Sequence, residues 1–205
     1  MSEKYQRKQA ALQRKRKQPS TKKPRQRTGN YRIFVGVLPT GELANKLQAV
    51  RKEIDPKTAA ITPPHVTLAG VYWRSGPATV RNEDNVITQL KLLAPKISPF
   101  ELNLENIRTF GHRVLYLGVE QSKELLALRR ALIRILGEDK HRRFAPHLTL
   151  AMRLERPLFD EALTKLRDSE WGNGRFTAPI TQLRLMQRGP NDLAWRSIQT
   201  LPLGK

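Results

Sequence analysis

Pro64-His65-Val66-Thr67-Leu68-Ala69 recurs 82 residues later as Pro146-His147-Leu148-Thr149-Leu150-Ala151, and the two copies hold two of the four histidines in the 205-residue chain. The same offset aligns more than the motif. Phe34-Val35-Gly36-Val37 falls on Tyr116-Leu117-Gly118-Val119, Thr40 on Ser122, and Val50 and Ile54 on Leu132 and Leu136. Each block therefore reads as an apolar strand, a Thr or Ser suited to an N-cap, an amphipathic helix and a second strand carrying His-x-Thr. Two related halves follow from that shared register.

Around this repeat the spacing predicts strands near 31–37, 63–70, 100–108, 113–119, 146–152, 180–187 and 193–200. Helices fit 41–54, 83–94, 123–136 and 157–168, with Pro95 and Gly137 as stops and Pro157 in a first turn. The expected class is α+β: a bilobal, pseudo-twofold duplication of a βαβ-containing unit. Two mainly antiparallel sheets would face each other across a central cleft, with helices outside.

Composition narrows the setting. The chain has no cysteine, which excludes disulfides and thiolate metal sites. No apolar run reaches the ~18 residues of a membrane span, so a soluble, cytoplasmic monomer is expected, with no membrane partner. Formal net charge is +20. Residues 1–29 carry eleven Lys or Arg against the single acid Glu3, with little apolar side chain to bury. They read as a disordered basic tail ahead of a folded domain at 30–205, suited to the phosphate backbone of a polyanion, with a solvated tail that only aids solubility as the alternative.

On a regular strand His65, Thr67 and Ala69 share one face, as do His147, Thr149 and Ala151, while the intervening Val and Leu point into a core. Two imidazoles and two hydroxyls meeting across a pseudo-twofold suit in-line displacement at phosphorus. One neutral histidine accepts a proton from the attacking oxygen, and the other, protonated, donates to the leaving oxygen. The threonines would hold non-bridging oxygens. With no acid or cysteine at ligand spacing beside either motif, neither a metal nor another cofactor is expected.

Paired His-x-Thr strands about 80 residues apart resemble the 2H phosphoesterase superfamily, in particular its 2′-5′ RNA ligase-like, RNA 2′,3′-cyclic phosphodiesterase members. The likeness spans about 31–203 and includes Phe144-Ala145-Pro146-His147-Leu148-Thr149-Leu150-Ala151. It implies hydrolysis of 2′,3′-cyclic phosphate RNA ends to 2′-phosphates, with reversible 2′-5′ ligation in some members, and RNA as partner. By motif position His65 and His147 would be the acid–base pair, and Thr67 and Thr149 would bind phosphate. His147 is read as the base that activates water and His65 as the acid, in roles that near-symmetry leaves interchangeable. Many relatives carry an arginine five residues after the second histidine. Here that position is Met152, and Arg153 follows it, facing the other way unless a bulge intervenes.

Tyr72 and Arg74, with Trp73 between them, read either as a stacking site for an unpaired base or, for Trp73, as packing between the lobes. Arg143 and Arg142 are candidates for a basic rim, and Arg153 for a phosphate contact. Arg184 and Arg188 would reach phosphate if their hairpin face turns to the cleft. Trp171 and Trp195 are expected in the core. Two rival functions stay open: a binding module for RNA ends or nucleotides without turnover, and a phosphodiesterase of small cyclic phosphates.

Overall fold

The computed structural model describes residues 30–78, 80–140 and 143–204. The basic tail at 1–29 and His141 and Arg142 lie outside the described residues, so the readings placed on them are not addressed by it.

The first block of the repeat folds as β1 (Tyr31–Val37), α1 (Gly41–Ile54), α2 (Pro56–Ile61) and β2 (Val66–Arg74). Helix α3 (Val80–Leu93), with a non-helical kink at Glu83, then leads to β3 (Phe100–Phe110). The second block is β4 (Val114–Val119), α4 (Lys123–Leu136) and β5 (His147–Met152). Helices α5 (Arg156–Arg167) and α6 (Glu170–Asn173) and strands β6 (Arg175–Ile180), β7 (Gln182–Arg188) and β8 (Arg196–Pro202) complete the chain. Among the described residues, no helix is long and apolar enough to cross a membrane.

The strands form one antiparallel sheet in the order β6-β3-β4-β5-β2-β1-β7-β8. Its centre is thin, because β2 and β5 are joined at the pair Val66↔Leu148. The two expected sheets are thus the two four-stranded halves of one sheet, each built on one copy of the repeat. Alternation decides which face is covered. Ile33, Val35, Val66, Leu68, Leu115, Leu117, Leu148 and Leu150 are fully buried against Leu47 of α1, Ile87 of α3, Leu128 of α4 and Phe159 of α5. Burying a Leu or Ile of this kind stabilises the fold by roughly 1.5–3 kcal/mol. The opposite face, which no helix covers among the described residues, carries both histidines and both motif threonines, each half-buried.

The helices cross over between halves: α1 packs against β5, and α4 against β2. Ser122 caps α4 as expected, its Oγ accepting from Leu125 N at 3.1 Å, whereas Thr40 occupies the N-cap of α1 without a side-chain bond. Two short helices and the strand β6 were not anticipated, and β8 begins at Arg196 rather than near 193, leaving Leu193 89% exposed.

One expectation about the motif strands is corrected. Gly36 pairs with Thr67 and Val35 with Ala69, so Leu68 is an extra residue in β2. Tyr116 likewise pairs with Thr149 and Leu115 with Ala151, which makes Leu150 an extra residue in β5. These equivalent β-bulges invert the alternation. Ala69 and Ala151 consequently join the core, at 0% and 1% exposure, instead of lining the ligand face. Gly70 and Met152, opposite Phe34 and Val114, return to the face of the histidines.

Candidate active site

Antiparallel pairing at Val66↔Leu148 sets His65 and Thr67 of one half beside His147 and Thr149 of the other, on the open face of the sheet. Both imidazoles are held in the same way. His65 Nδ1 lies 2.8 Å from Pro63 O, and His147 Nδ1 lies 2.8 Å from Ala145 O. A carbonyl can only accept, so Nδ1 carries hydrogen in both rings, and each Nε2 is left to take or give a proton. Each ring also has an aromatic neighbour at the repeat offset. Phe34 stacks on His65 at 4.9 Å between centroids, and Tyr116 lies 5.1 Å from His147, which is further flanked by Phe110 at 5.0 Å.

Burial pushes the His65 pKa down to about 4; the Pro63 carbonyl pulls it upward, and the charges of Arg51 and His147 push it further down. His65 is therefore neutral at pH 7 in the free protein. Arg51 is itself 1% exposed and donates to Gln48 Oε1 and Thr58 O. Its burial lowers its pKa to about 10, with Asp55 opposing, so it remains a cation.

Crossed carboxylates hold the ends of the motif strands. Asp55, after α1 of the first half, caps α2 through Thr58 N and accepts Met152 N–H of the second half at 2.9 Å. Asp139, after α4 of the second half, accepts Gly70 N–H of the first half at 3.2 Å and pairs with Arg129 at 2.5 Å. Arg129 Nη1 also donates to Leu68 O at 2.6 Å, at the bulge itself. Since the halves share so little ladder, these bonds take over part of its role in fixing one strand against the other. Glycine is required at 70: its φ is +130° and an added Cβ would stand 2.7 Å from Phe34 Cβ.

A cleft of about 420 Å³ opens on the His147 side of the junction. Thr67, His147, Phe110, Phe144 and Arg143 line it, with the Arg129–Asp139 pair. Arg129 lies 4.8 Å from the Phe144 ring centroid. The arrangement offers an apolar slot with a cationic rim beside a Thr hydroxyl and an imidazole, suited to a flat heterocycle bearing a phosphate.

Arg143 is thus brought to the site with His65, His147, Thr67 and Thr149. Tyr72 and Arg74 are not among the residues lining that cleft. Tyr72 is 8% exposed, its hydroxyl donates to Gly137 O at 2.7 Å, and burial raises its pKa to about 12. Arg74 pairs with Glu83 at 2.5 Å and lies against the Tyr72 ring. We leave both out of the proposed site, because their polar groups are engaged in holding α3 and α4. Arg153 takes a left-handed backbone, φ 61°, just past β5, and its N–H bonds Arg113 O at 2.8 Å. The bulge returns Met152, rather than Arg153, to the open face.

Sequence reading missed Phe34, Tyr116, Phe110, Phe144, Arg129 and the two aspartates as parts of the site. The first two carried a signal, since they occupy equivalent places in the repeat. Trp171 is in the core at 4% exposure. Trp195, expected there, instead lies half-buried on the open face, 4.8 Å from Phe34.

Comparison with known proteins agrees with this geometry. A family model of the 2′-5′ RNA ligase superfamily matches residues 39–192. A curated protein of Bacillus cytotoxicus, whose phosphoesterase name is itself provisional, is 26% identical over 177 residues, covering 85% of this chain and 98% of its own. Among solved structures, Escherichia coli LigT complexed with 3′-AMP superposes with a TM-score of 0.56 at 20% identity, over 86% of this chain and 99% of LigT. TT0787 of Thermus thermophilus gives 0.55 at 20% identity, over 85% and 99%. The structural likenesses establish the shared fold, and the family match spans most of the chain. The protein belongs to the 2′-5′ RNA ligase superfamily, the two-histidine phosphoesterases that its repeated motif resembles.

Proposed function

We propose that the protein is a phosphodiesterase of RNA ends, opening 2′,3′-cyclic phosphates to 2′-phosphates by acid–base catalysis between His65 and His147, without a metal. The observation that carries this reading is the matched tethering of the two imidazoles, each donating Nδ1–H to a carbonyl two residues earlier. A fixed tautomer on both sides is what complementary proton transfer requires. It is not needed for binding alone.

The neutral His65 and the place of the cleft favour roles opposite to those read from the sequence. His65 is neutral in the free protein, so its Nε2 can take a proton from the attacking water. The cleft lies beside His147. A nucleoside seated there, between Phe110 and Phe144 with Arg143 at the rim, puts its ribose on the His147 side. Protonated His147 then delivers to the departing 3′ oxygen. Water forms the new P–O bond, the P–O3′ bond breaks, and the proton gained by His65 balances the one lost by His147. Thr67 and Thr149 hold the non-bridging oxygens.

A 5′-hydroxyl in place of water would give the 2′-5′ linkage by the same steps. LigT, on the same fold, is described in complex with 3′-AMP, a nucleoside monophosphate of the kind the cleft suits. The RNA assignment draws further support from the +20 net charge, with the tail at 1–29 adding sequence-independent affinity. Hydrolysis of 2′,3′-cyclic AMP in the presence of a chelator tests the proposal. Release of the 2′-phosphate by the wild type, lost in both His65→Ala and His147→Ala, is the expected result. Turnover unaffected in folded variants would refute it.

A further inference from the structure

The open face of the first half carries a second set of groups suited to nucleic acid, on the far side of the reacting centre from the cleft. Rings continue outward from His65. Phe34 stacks on it, and Trp195 meets Phe34 at 4.8 Å, edge to face. The Arg32 guanidinium then lies 5.3 Å from the Trp195 ring and 5.5 Å from that of Trp73. Strand register explains the grouping, because Arg32 pairs with Trp73 of β2 on one side and with Arg188 of β7 on the other. Gly36 pairs with Arg184, which places that arginine on the same face. Arg32, Trp73, Trp195, Arg184 and Arg188 are all half-buried. The nearby acid, Asp192, already accepts Gly189 N–H and faces Arg196 at 3.8 Å.

The corresponding face of the second half differs. Its β3 presents Phe110 and Arg108, with Arg108 set against Glu105 at 3.4 Å. The two tryptophans of this face, Trp73 and Trp195, both lie on the side of His65.

We propose that this surface, from Phe34 out to Trp73, is a stacking platform for an unpaired ribonucleotide other than the one whose phosphate reacts. The inference rests on the reading of the site as a phosphodiesterase of RNA ends and adds where the rest of the RNA lies. A base has a π-face for the tryptophans, and its phosphate has Arg32, Arg184 and Arg188 for counter-charge, the combination by which single strands are held without sequence preference. The occupant can come from two sources of one chemistry: a preceding nucleotide of the substrate, or the 5′-terminal nucleotide of a second strand whose hydroxyl replaces water.

The test compares 2′,3′-cyclic AMP with a six-nucleotide RNA ending in the same cyclic phosphate, in the wild type, Trp195→Ala and Arg32→Gln. Platform use by the substrate's own chain predicts a wild-type preference for the oligonucleotide that falls about tenfold in both variants, as expected for one stacked base. Use by a second strand predicts instead that a 5′-hydroxyl oligonucleotide without a cyclic phosphate competes with cyclic AMP hydrolysis, and that competition weakens about tenfold in the variants. A wild type with neither preference nor competition overturns the proposal, as does an equal loss on mono- and oligonucleotide in variants of native stability. Quenching of tryptophan fluorescence by the same unphosphorylated oligonucleotide gives a readout independent of turnover. Saturable quenching, lost in Arg32→Gln, supports the platform even if cyclic AMP is not hydrolysed. Its absence counts against the platform even in an active enzyme.

Discussion

The two halves hold their histidines alike and surround them differently. In each, a bulge at the same leucine turns the strand, a carbonyl two residues back fixes Nδ1, and an aromatic ring from the neighbouring strand lies against the imidazole. In each, an aspartate after the helix of one half grips the end of the other half's motif strand. Beyond that frame they part. The first half sets its histidine against Phe34, with the buried charge of Arg51 near it, while the second opens into the cleft of Phe110, Phe144 and Arg143. Duplication thus supplies the matched geometry that two-way proton transfer needs. Divergence at the periphery gives the two imidazoles different surroundings, a His65 that burial keeps neutral on one side and an open cleft beside His147 on the other.

The largest expected effect tests the shared frame. His65→Ala and His147→Ala should each lower kcat/KM for a cyclic mononucleotide by about 10²–10⁴-fold, the usual range for a positioned acid or base. A thousandfold loss in one and none in the other would break the symmetry of the account.

The crossed latches come next. Asp139→Ala leaves Arg129, whose side chain is 12% exposed, without its carboxylate and Gly70 N–H without its acceptor. A loss of about 3–5 kcal/mol in urea unfolding is expected, as for a broken buried pair. Asp55→Ala removes an acceptor shared by Thr58 and Met152. It should cost about 1–3 kcal/mol. Equal effects would mean that Arg129 is well solvated once its partner is gone.

The pH dependence of stability tests the burial of His65. His65 has a folded pKa near 4 against an unfolded value near 6.5, so the unfolded chain binds the extra proton between these values. Its contribution, about 3 kcal/mol, is fully present above pH 6.5 and is lost as pH falls toward 4. Unfolding of His65→Gln should lack this portion of the acid sensitivity.

A smaller contrast lies in the paired glycines. An added Cβ at Gly36 would meet Val66 O at 2.6 Å, whereas at Gly118 the nearest atoms, Arg108 Nε and Glu105 O, stand at 3.1 Å. Gly36→Ala should therefore cost about 2–3 kcal/mol and Gly118→Ala about 1 kcal/mol, on the scale of overpacked sites.

Much of this arrangement was legible in the chain. The 82-residue repeat located both histidines, both threonines, the flanking strands and the helices at 41–54 and 123–136, because apolar periodicity and caps agreed in both copies. What escaped has physical reasons. The bulges are invisible in Val66-Thr67-Leu68-Ala69, since a small apolar residue fits either face of a strand. Strand β6 contains Pro179, which argues against a central strand but is tolerated here at the sheet edge. Asp55-Pro56 reads as the end of a helix and conceals that the aspartate caps the next one. Arg129 and Arg130 are alike in sequence, and only the packing of α4 on β2 brings the former to Leu68 and Asp139. Trp195 was read as core because tryptophan usually is. Its place on the open face depends on the pairing of β7 with β8, which local pattern does not specify.

The most direct test of the central claim is the pH profile of kcat/KM for 2′,3′-cyclic AMP with chelator present. With His65 as the base, activity should persist well below pH 6.5 and fall only as pH approaches about 4, where His65 gains its proton. A rate that already falls as pH drops through about 6.5, or that declines as pH rises through 4, would contradict the assignment of a neutral His65 as the base.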